Sequence, residues 1–371
     1  MHNTQKAKII LTAPSDGGPL TYTRLLEERL PAMGFFVKLV SFGPFLRYPK
    51  GIRHILFFFQ VAFNALSADS VYAQDPVSTG LPSYCAARIT GKKFYLKIVG
   101  DYAWEQGSQR SGITEFLDSF STEYKKYPFL VRLFKKIQFF VASHADKIIV
   151  PSFYLKKIVT NWGVPQEKIT VVYNAFNAPT LASSRDELRK KLGFSGRVIT
   201  SAGRLVPWKG FDTLIKTVLP ELVKKYPDIK LYILGDGPDK GYLLDTVKAS
   251  GMESHVVLTG KKPQAELFEY IKGSDVFVLN TSYEGLSHLL LEVLALEIPI
   301  VTTDVGGNVE VIRDGENGIL THFNETGKIT SSISQLLTEP AQAQQLVAHG
   351  KETLNNFSEE KMLSELAKQL R

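Results

Sequence analysis

The stretch Val276-Phe277-Val278-Leu279-Asn280-Thr281-Ser282-Tyr283-Glu284-Gly285-Leu286-Ser287-His288-Leu289-Leu290-Leu291-Glu292-Val293-Leu294-Ala295 decides how the chain is read. Its first four residues are apolar and read as a strand. A helical pattern follows from about Leu286. Glu284 and Glu292 are eight residues apart, just over two helical turns, so both carboxylates are expected near one face. Glu284 then sits at the helix mouth and Glu292 two turns in. An open helix N-terminus offers unpaired N–H groups to an anion, and a carboxylate nearby accepts hydrogen bonds from hydroxyls. That combination suits a ligand carrying both phosphate and hydroxyls, such as a nucleotide sugar. Two glutamates at this spacing also occur on ordinary solvated helix faces, so the surrounding chain has to decide.

On either side of this stretch, strand-like and helix-like segments alternate. Lys8–Thr12, Phe36–Ser41, Ser70–Ala73, Phe94–Val99 and Lys147–Val150 read as strands, with helical patterns such as Leu20–Met33 and Phe129–Ala142 between them. After Pro179 the alternation restarts. Arg197–Ala202, Ile229–Leu234, Val256–Thr259, Val276–Leu279, Ile300–Thr303 and Gly318–Leu320 are strand-like; Asp212–Lys225, Lys240–Ala249, Gln264–Ile271 and Leu286–Leu296 are helical. This order predicts two doubly wound α/β domains with parallel sheets, residues 1–178 and 179–356, joined through the irregular stretch Asn174–Ser184. In such sheets ligands bind outside the carboxyl ends of the strands, and the chemistry is expected in a cleft where the two domains face each other.

Composition agrees with this plan. A chain of 371 residues is too long for one ordinary core. Its single cysteine, Cys85, excludes an intrachain disulfide and fits a reducing compartment. Lys6 and Lys8 precede only Ile9-Ile10-Leu11, which reads as a first strand rather than a signal peptide. No run reaches the ~20 apolar residues of a membrane span; Ile55 to Leu66 is short and interrupted by Gln60 and Asn64. A cytoplasmic protein is expected. Charge is unevenly shared: residues 1–180 hold 22 Lys and Arg against 12 Asp and Glu, a net of +10, and residues 181–371 hold 22 against 25, a net of −3. The first half is therefore the one expected to meet an anionic surface.

Glycines bracket the strand ends. Asp16-Gly17-Gly18 follows the first strand, with Pro19 suited to a first helical turn. Gly203-Arg204-Leu205-Val206-Pro207-Trp208-Lys209-Gly210 follows the first strand of the second half. Its planar guanidinium and compact ammonium suit a diphosphate whose charge grows as a sugar bond breaks. Gly235-Asp236-Gly237, Gly260-Lys261 and Val305-Gly306-Gly307 end later strands; for Gly235 and Lys261 turn chemistry is the simpler account, with ligand contact the alternative.

Gly203-Arg204…Lys209-Gly210, Gly235-Asp236-Gly237, Glu284-x7-Glu292 and Val305-Gly306-Gly307-x-x-Glu310 occur in order. Together they resemble the donor half of the GT4 family of retaining glycosyltransferases, which have the GT-B fold of two Rossmann-like domains. The match covers residues 197–320. The first half is similar more loosely, through Asp16-Gly17-Gly18, Ala145–Ser152 and Val171–Asn174. The end from Phe357, residues 357–371, resembles the C-terminal helix that packs back on the first domain in this fold. The resemblance implies that Arg204 and Lys209 hold the donor diphosphate, that Glu292 bonds the ribose, and that Glu284 lies beside the donor sugar. Backbone groups near Gly285, Leu286 and Ser287 position the donor, with Gly18, Gly203, Gly235 and Lys261 around it. It also implies no metal and no cofactor besides a UDP- or GDP-sugar. Transfer with retention then proceeds by attack on the face the leaving group departs from.

One departure matters. Many members carry a histidine after a first-domain strand, whereas here Phe94–Val99 leads into Gly100-Asp101-Tyr102-Ala103-Trp104-Glu105. Asp101 is expected either to accept from a sugar hydroxyl in its place or to cap the following helix. Trp104 and Glu105, with Asp16 and Gly17, are expected on the acceptor side. Phe45–Phe59 and Tyr124–Lys136 mix cations with large apolar groups, so a lipid-linked or saccharide acceptor and peripheral contact with an anionic inner membrane are expected. The alternatives for those segments are core packing and solvated lysines. No nucleic-acid recognition motif accompanies the charge. Competing readings of the whole are a nucleotide-sugar 2-epimerase-like isomerase and a noncatalytic nucleotide-sugar binder.

Overall fold

The computed structural model describes residues 6–123, 126–176, 178 and 180–371. Tyr124 and Lys125 of the basic aromatic stretch, and Asn177 and Pro179 of the predicted junction, lie outside the described residues. The chain divides into two compact units, Met1–Asn174 with Glu359–Arg371, and Ala175–Ser358.

The first unit holds a six-stranded parallel sheet of β1 (Ala7–Ala13), β2 (Phe35–Ser41), β3 (Ser70–Ala73), β4 (Lys93–Lys97), β5 (Lys147–Val150) and β6 (Ile169–Val171), in the order β2-β1-β3-β4-β5-β6. Its strands read as apolar runs because helices cover both faces. Ile10, Val71, Leu96 and Ile148 pack there against Phe57, Val61, Ala86 and Val141 from the helices. The helix Glu359–Leu370 belongs to this unit; it buries Met362, Leu366 and Leu370, and Arg29 pairs with Glu359 at 2.8 Å.

The second unit holds β7 (Val198–Ala202), β8 (Lys230–Leu234), β9 (Val256–Gly260), β10 (Val276–Leu279), β11 (Ile300–Thr303) and β12 (Ile319–Thr321), again parallel, in the order β12-β11-β10-β7-β8-β9. Connections run outward in opposite directions from β7, so the topological switch point lies between β7 and β10. In the first sheet it lies between β1 and β3.

Predicted helices differ in detail, Leu20–Met33 being an α-helix Gly17–Arg29 closed by a 3-10 turn, Leu30–Met33. Asp212–Lys225 is not one α-helix: a π turn, Leu214–Val218, separates Phe211–Thr213 from Leu219–Lys225. Pro220 has no N–H and its ring crowds the carbonyl four residues back, so the wider turn absorbs it. The helix expected from Leu286 begins at His288 and ends at Ala295. Among the described residues no helix is long and apolar enough to cross a membrane.

Candidate functional site

The loops after β7 and β10 flank the second unit's switch point and are stitched together. Trp208 accepts at its carbonyl from Ser282 N at 2.8 Å and from the Thr281 hydroxyl at 3.1 Å. Asn280 Nδ2 donates to Gly210 O at 3.1 Å and to Asn324 Oδ1 at 2.7 Å, and its Oδ1 accepts from Asn324 N. Held this way, Lys209 Nζ pairs with a carboxylate oxygen of Glu284, and both side chains are largely buried. Arg204 stands on the same loop, exposed to solvent.

Neighbouring loops pack so closely on this pair that side chains are excluded. A Cβ on Gly235 would lie 1.8 Å from Gly203 O, and one on Gly306 would lie 2.2 Å from Glu284 O, where φ is also +56°. Gly307 N donates to Glu284 O at 2.8 Å. Gly235 and Gly203 therefore shape the site by backbone packing of β7 and β8 loops. Lys261, after β9, is exposed.

Glu284 does not share a helix with Glu292. It lies in the loop four residues before His288, so the two-turn spacing expected from the sequence is not the geometry that relates them. Ser287 caps the helix, accepting from Leu290 N at 3.4 Å. Serine competes for N–H groups at such an end and halts the helix there. The N–H groups of Gly285, Leu286 and Ser287 find no acceptor among the described residues. These N–H groups directly follow Glu284, the partner of Lys209, and N–H groups so placed are suited to an anion.

Glu292 lies inside the helix, half-buried. Burial pushes its carboxyl up to about 7, against the downward pull of a hydrogen bond from Gln264 Nε2 at 3.1 Å. In the unfolded chain it titrates near 4.5. Between those values the folded domain holds a proton that the unfolded chain has released, so stability falls as pH rises through that window. Glu292→Gln removes the titration. Its melting temperature, relative to the parent, is expected to be higher at about pH 8 than at about pH 5. An offset that is the same at both pH values would mean that Glu292 titrates at its ordinary value.

Two family models match the chain: "Glycosyltransferase Family 4" over residues 16–178 and "Glycosyl transferases group 1" over residues 184–353. The chain belongs to the group 1 and family 4 glycosyltransferases. It is similar to a GDP-mannose-dependent alpha-(1-6)-phosphatidylinositol monomannoside mannosyltransferase of Mycolicibacterium smegmatis, 34% identical over 168 residues, 43% of this chain and 44% of that protein. It is also similar to the lipopolysaccharide core biosynthesis glycosyltransferase LpsE of Rhizobium meliloti, 33% identical over 164 residues, 44% of this chain and 46% of that one. The matched stretch spans about half the length of the curated relatives. Among solved structures, HepE of Anabaena in complex with UDP aligns over 98% of this chain and 99% of its own, with a TM-score of 0.76 and 18% identity. A glycosyltransferase from Rickettsia africae aligns over 98% of both chains, with a TM-score of 0.76 and 17% identity. The fold is GT-B.

In the first unit, Asp101 takes the capping role of the two expected for it. Asp101 is fully buried and both of its oxygens are engaged: one accepts from Trp104 N at 2.9 Å as the cap of helix Tyr102–Arg110, the other from Trp162 Nε1 at 3.0 Å. Burial raises its carboxyl above the ordinary aspartate range. Its geometry is that of a structural cap, not of an acceptor for sugar hydroxyls. Trp104 is likewise core, 2% exposed, with Nε1 donating to Glu115 O at 2.8 Å, so it lines no open acceptor pocket. Glu105 is half-buried on the first turn of that helix. Asp16, Gly17 and Gly18 are exposed where the helix Gly17–Arg29 begins after β1.

Two features escaped the sequence reading. The Asn280–Asn324 brace was signalled only by an asparagine directly after an apolar strand. Lys97 hides inside β4: it is fully buried, donates to Asn174 Oδ1 and lies 3.8 Å over the Tyr22 ring, and burial pushes its amine down to about 7. A lysine in a strand pattern gives no hint of such burial.

Proposed function

We propose that the chain is a retaining glycosyltransferase that moves a sugar from a UDP- or GDP-sugar to a hydroxyl acceptor, in the synthesis of a cell-surface polysaccharide or glycolipid. The observation that carries this reading is the Lys209–Glu284 pair at the switch point of the second sheet, beside the open N–H groups of Gly285–Ser287 and on the same loop as Arg204. Arg204 and Lys209 hold the diphosphate. Glu292, whose burial favours a carboxyl that can also donate, holds the ribose. Glu284 accepts from hydroxyls of the donor sugar.

A double displacement needs a carboxylate free to attack the anomeric carbon. Glu284 is engaged by Lys209, which favours same-face attack instead. The bond from the anomeric carbon to the diphosphate oxygen breaks as the acceptor oxygen bonds that carbon. The acceptor proton passes to the leaving diphosphate. Charge on the leaving group is met by Arg204 and Lys209 in the role a metal ion plays elsewhere, and catalysis is positioning and electrostatics.

Names of relatives point to acceptors that are saccharides on lipids, phosphatidylinositol monomannoside in one and lipopolysaccharide core in another. These names support a lipid-linked or saccharide acceptor for this chain. Peripheral contact with the anionic inner face of the cytoplasmic membrane is supported by Ile52, Ile55, Phe59 and Phe63, all more than half exposed along one helix that begins beside Lys50 and Arg53.

A thermal-shift panel of UDP-, GDP- and ADP-sugars, without metal and then with Mg²⁺, tests the reading. One nucleotide class is expected to raise the melting temperature without metal, by RT ln(1 + [L]/Kd), about 2.7 kcal/mol at a hundredfold excess over Kd. No shift with any of them would remove the donor site.

A further inference from the structure

A cavity of about 730 Å3 opens within the first unit, a size typical of small-ligand sites. It lies at the carboxyl edge of the first sheet. Phe42 directly follows β2, Val77 and Ser78 belong to the loop after β3, and Tyr102 follows β4. In doubly wound sheets this is the edge where ligands sit. The helices Ile52–Ala65, Gly80–Thr90 and Phe129–Ser143 give the cavity an apolar wall that includes Phe58, Leu81, Phe134 and Ile137.

Lys50, Arg53 and Arg110 also line it. None of the three forms an ion pair among the described residues. Arg53 Nε is buried and has no hydrogen-bond partner, while its guanidinium lies 5.7 Å from the centroid of Phe42. An orphaned buried donor is costly unless a ligand satisfies it. The carboxylate of the adjoining loop, Asp75, does not neutralise these cations by pairing. It accepts instead from Val77 N, Ser78 N, Thr79 N and the hydroxyls of Ser78 and Thr79.

Apolar walls with three unpaired cations complement one ligand chemistry, a hydrocarbon chain with an anionic head. A soluble saccharide would leave the apolar walls wet and the cations unmatched. The exposed stripe Ile52, Ile55, Phe59, Phe63 continues the apolar surface outward along the helix, more than a water-facing helix ordinarily carries.

We propose that this cavity is an acceptor-lipid site, which takes the hydrocarbon chain of a lipid phosphate and binds the phosphate through Arg53, Arg110 and Lys50. The assignment rests on the glycosyl-transfer reading above and names the acceptor class for it. The head group is then held at the strand ends, where a hydroxyl awaiting transfer belongs.

Cys85, the chain's single cysteine, lines the cavity and is half-buried, so it reports occupancy without any substitution. Burial raises its thiol, so modification by N-ethylmaleimide is followed at mildly alkaline pH. The probes are decyl phosphate below its critical micelle concentration, decanol and inorganic phosphate. Decyl phosphate is expected to slow modification of Cys85. Decanol should need about tenfold more for the same protection, and inorganic phosphate should give none. Arg53→Gln combined with Arg110→Gln should erase the advantage of decyl phosphate over decanol, with circular-dichroism melting as the check on folding. Equal protection by both amphiphiles in the parent protein, or none by either, overturns the proposal. Donor thermal shift on the same samples separates the two readings. Donor binding without protection removes the lipid site alone. Protection without donor binding removes the transferase reading and leaves the lipid site standing.

Discussion

Lys209→Ala is expected to lower the rate of sugar transfer by about 10²–10³-fold, the loss that follows removal of one preorganised group aimed at developing charge. Lys209 is the cation that the β7 loop delivers into the second unit's switch point, and the Trp208–Ser282 and Trp208–Thr281 hydrogen bonds hold that loop against the β10 loop. In the proposed diphosphate-holding role its interaction strengthens as the sugar bond breaks, so turnover should fall further than donor affinity. A stability effect accompanies it. Glu284 keeps only 19% side-chain exposure, and without Lys209 it is a largely buried charge with no ion-pair partner among the described residues. Losing one partner of a fully buried pair costs about 3–5 kcal/mol; with some solvent contact remaining, about 2 kcal/mol is expected here. For a domain of this size that is a fall in melting temperature of about 4–8 °C. Adding Glu284→Gln to the alanine variant removes the stranded charge and should restore most of the melting temperature while leaving transfer impaired. Recovery of both together would mean that Lys209 acts on stability alone.

The strands were legible because a parallel sheet covered on both faces demands short uninterrupted apolar runs, and β3, β5, β10 and β11 are found at the residues those runs span. The helix Ile52–Ala65 keeps its helical period, with Phe57, Val61, Asn64 and Ala65 on the buried side, but its exposed stripe is apolar too, so in sequence it reads first as a short apolar run. Near the candidate site, residue identity carried part of the content. Charged residues bracketed by glycines at strand ends stand out in any sequence. The close approach of Gly306 to the Glu284 carbonyl does not, because it is a relation between two loops 22 residues apart. Helix starts proved the weakest point. Ser287 reads as one more residue of an apolar helix until its hydroxyl is seen accepting from Leu290 N, and the two-turn relation between Glu284 and Glu292 fails with it.

Asp101→Ala is expected to destabilise the first unit by about 3 kcal/mol while leaving nucleotide-sugar binding unchanged. Two losses add. Removing an N-cap acceptor costs about 0.5–2 kcal/mol, and Trp104 N loses its partner. Leaving a buried donor unsatisfied costs about 1–3 kcal/mol, and Trp162 Nε1 loses its acceptor at 3.0 Å in a position where Asp101 is 0% exposed. The corresponding fall in melting temperature is about 6–12 °C for a unit of under 200 residues. Asp101→Asn discriminates between the two roles the sequence leaves open. Its carboxamide offers one oxygen where two donors converge, so one of them stays unmet and the variant should fall between parent and alanine in stability. A residue that accepts a sugar hydroxyl predicts a different pattern: transfer lost, melting temperature kept. Measured side by side, transfer per folded molecule should be nearly constant across the three proteins while their melting temperatures spread, because the carboxylate's work is to join the start of one helix to the indole of Trp162.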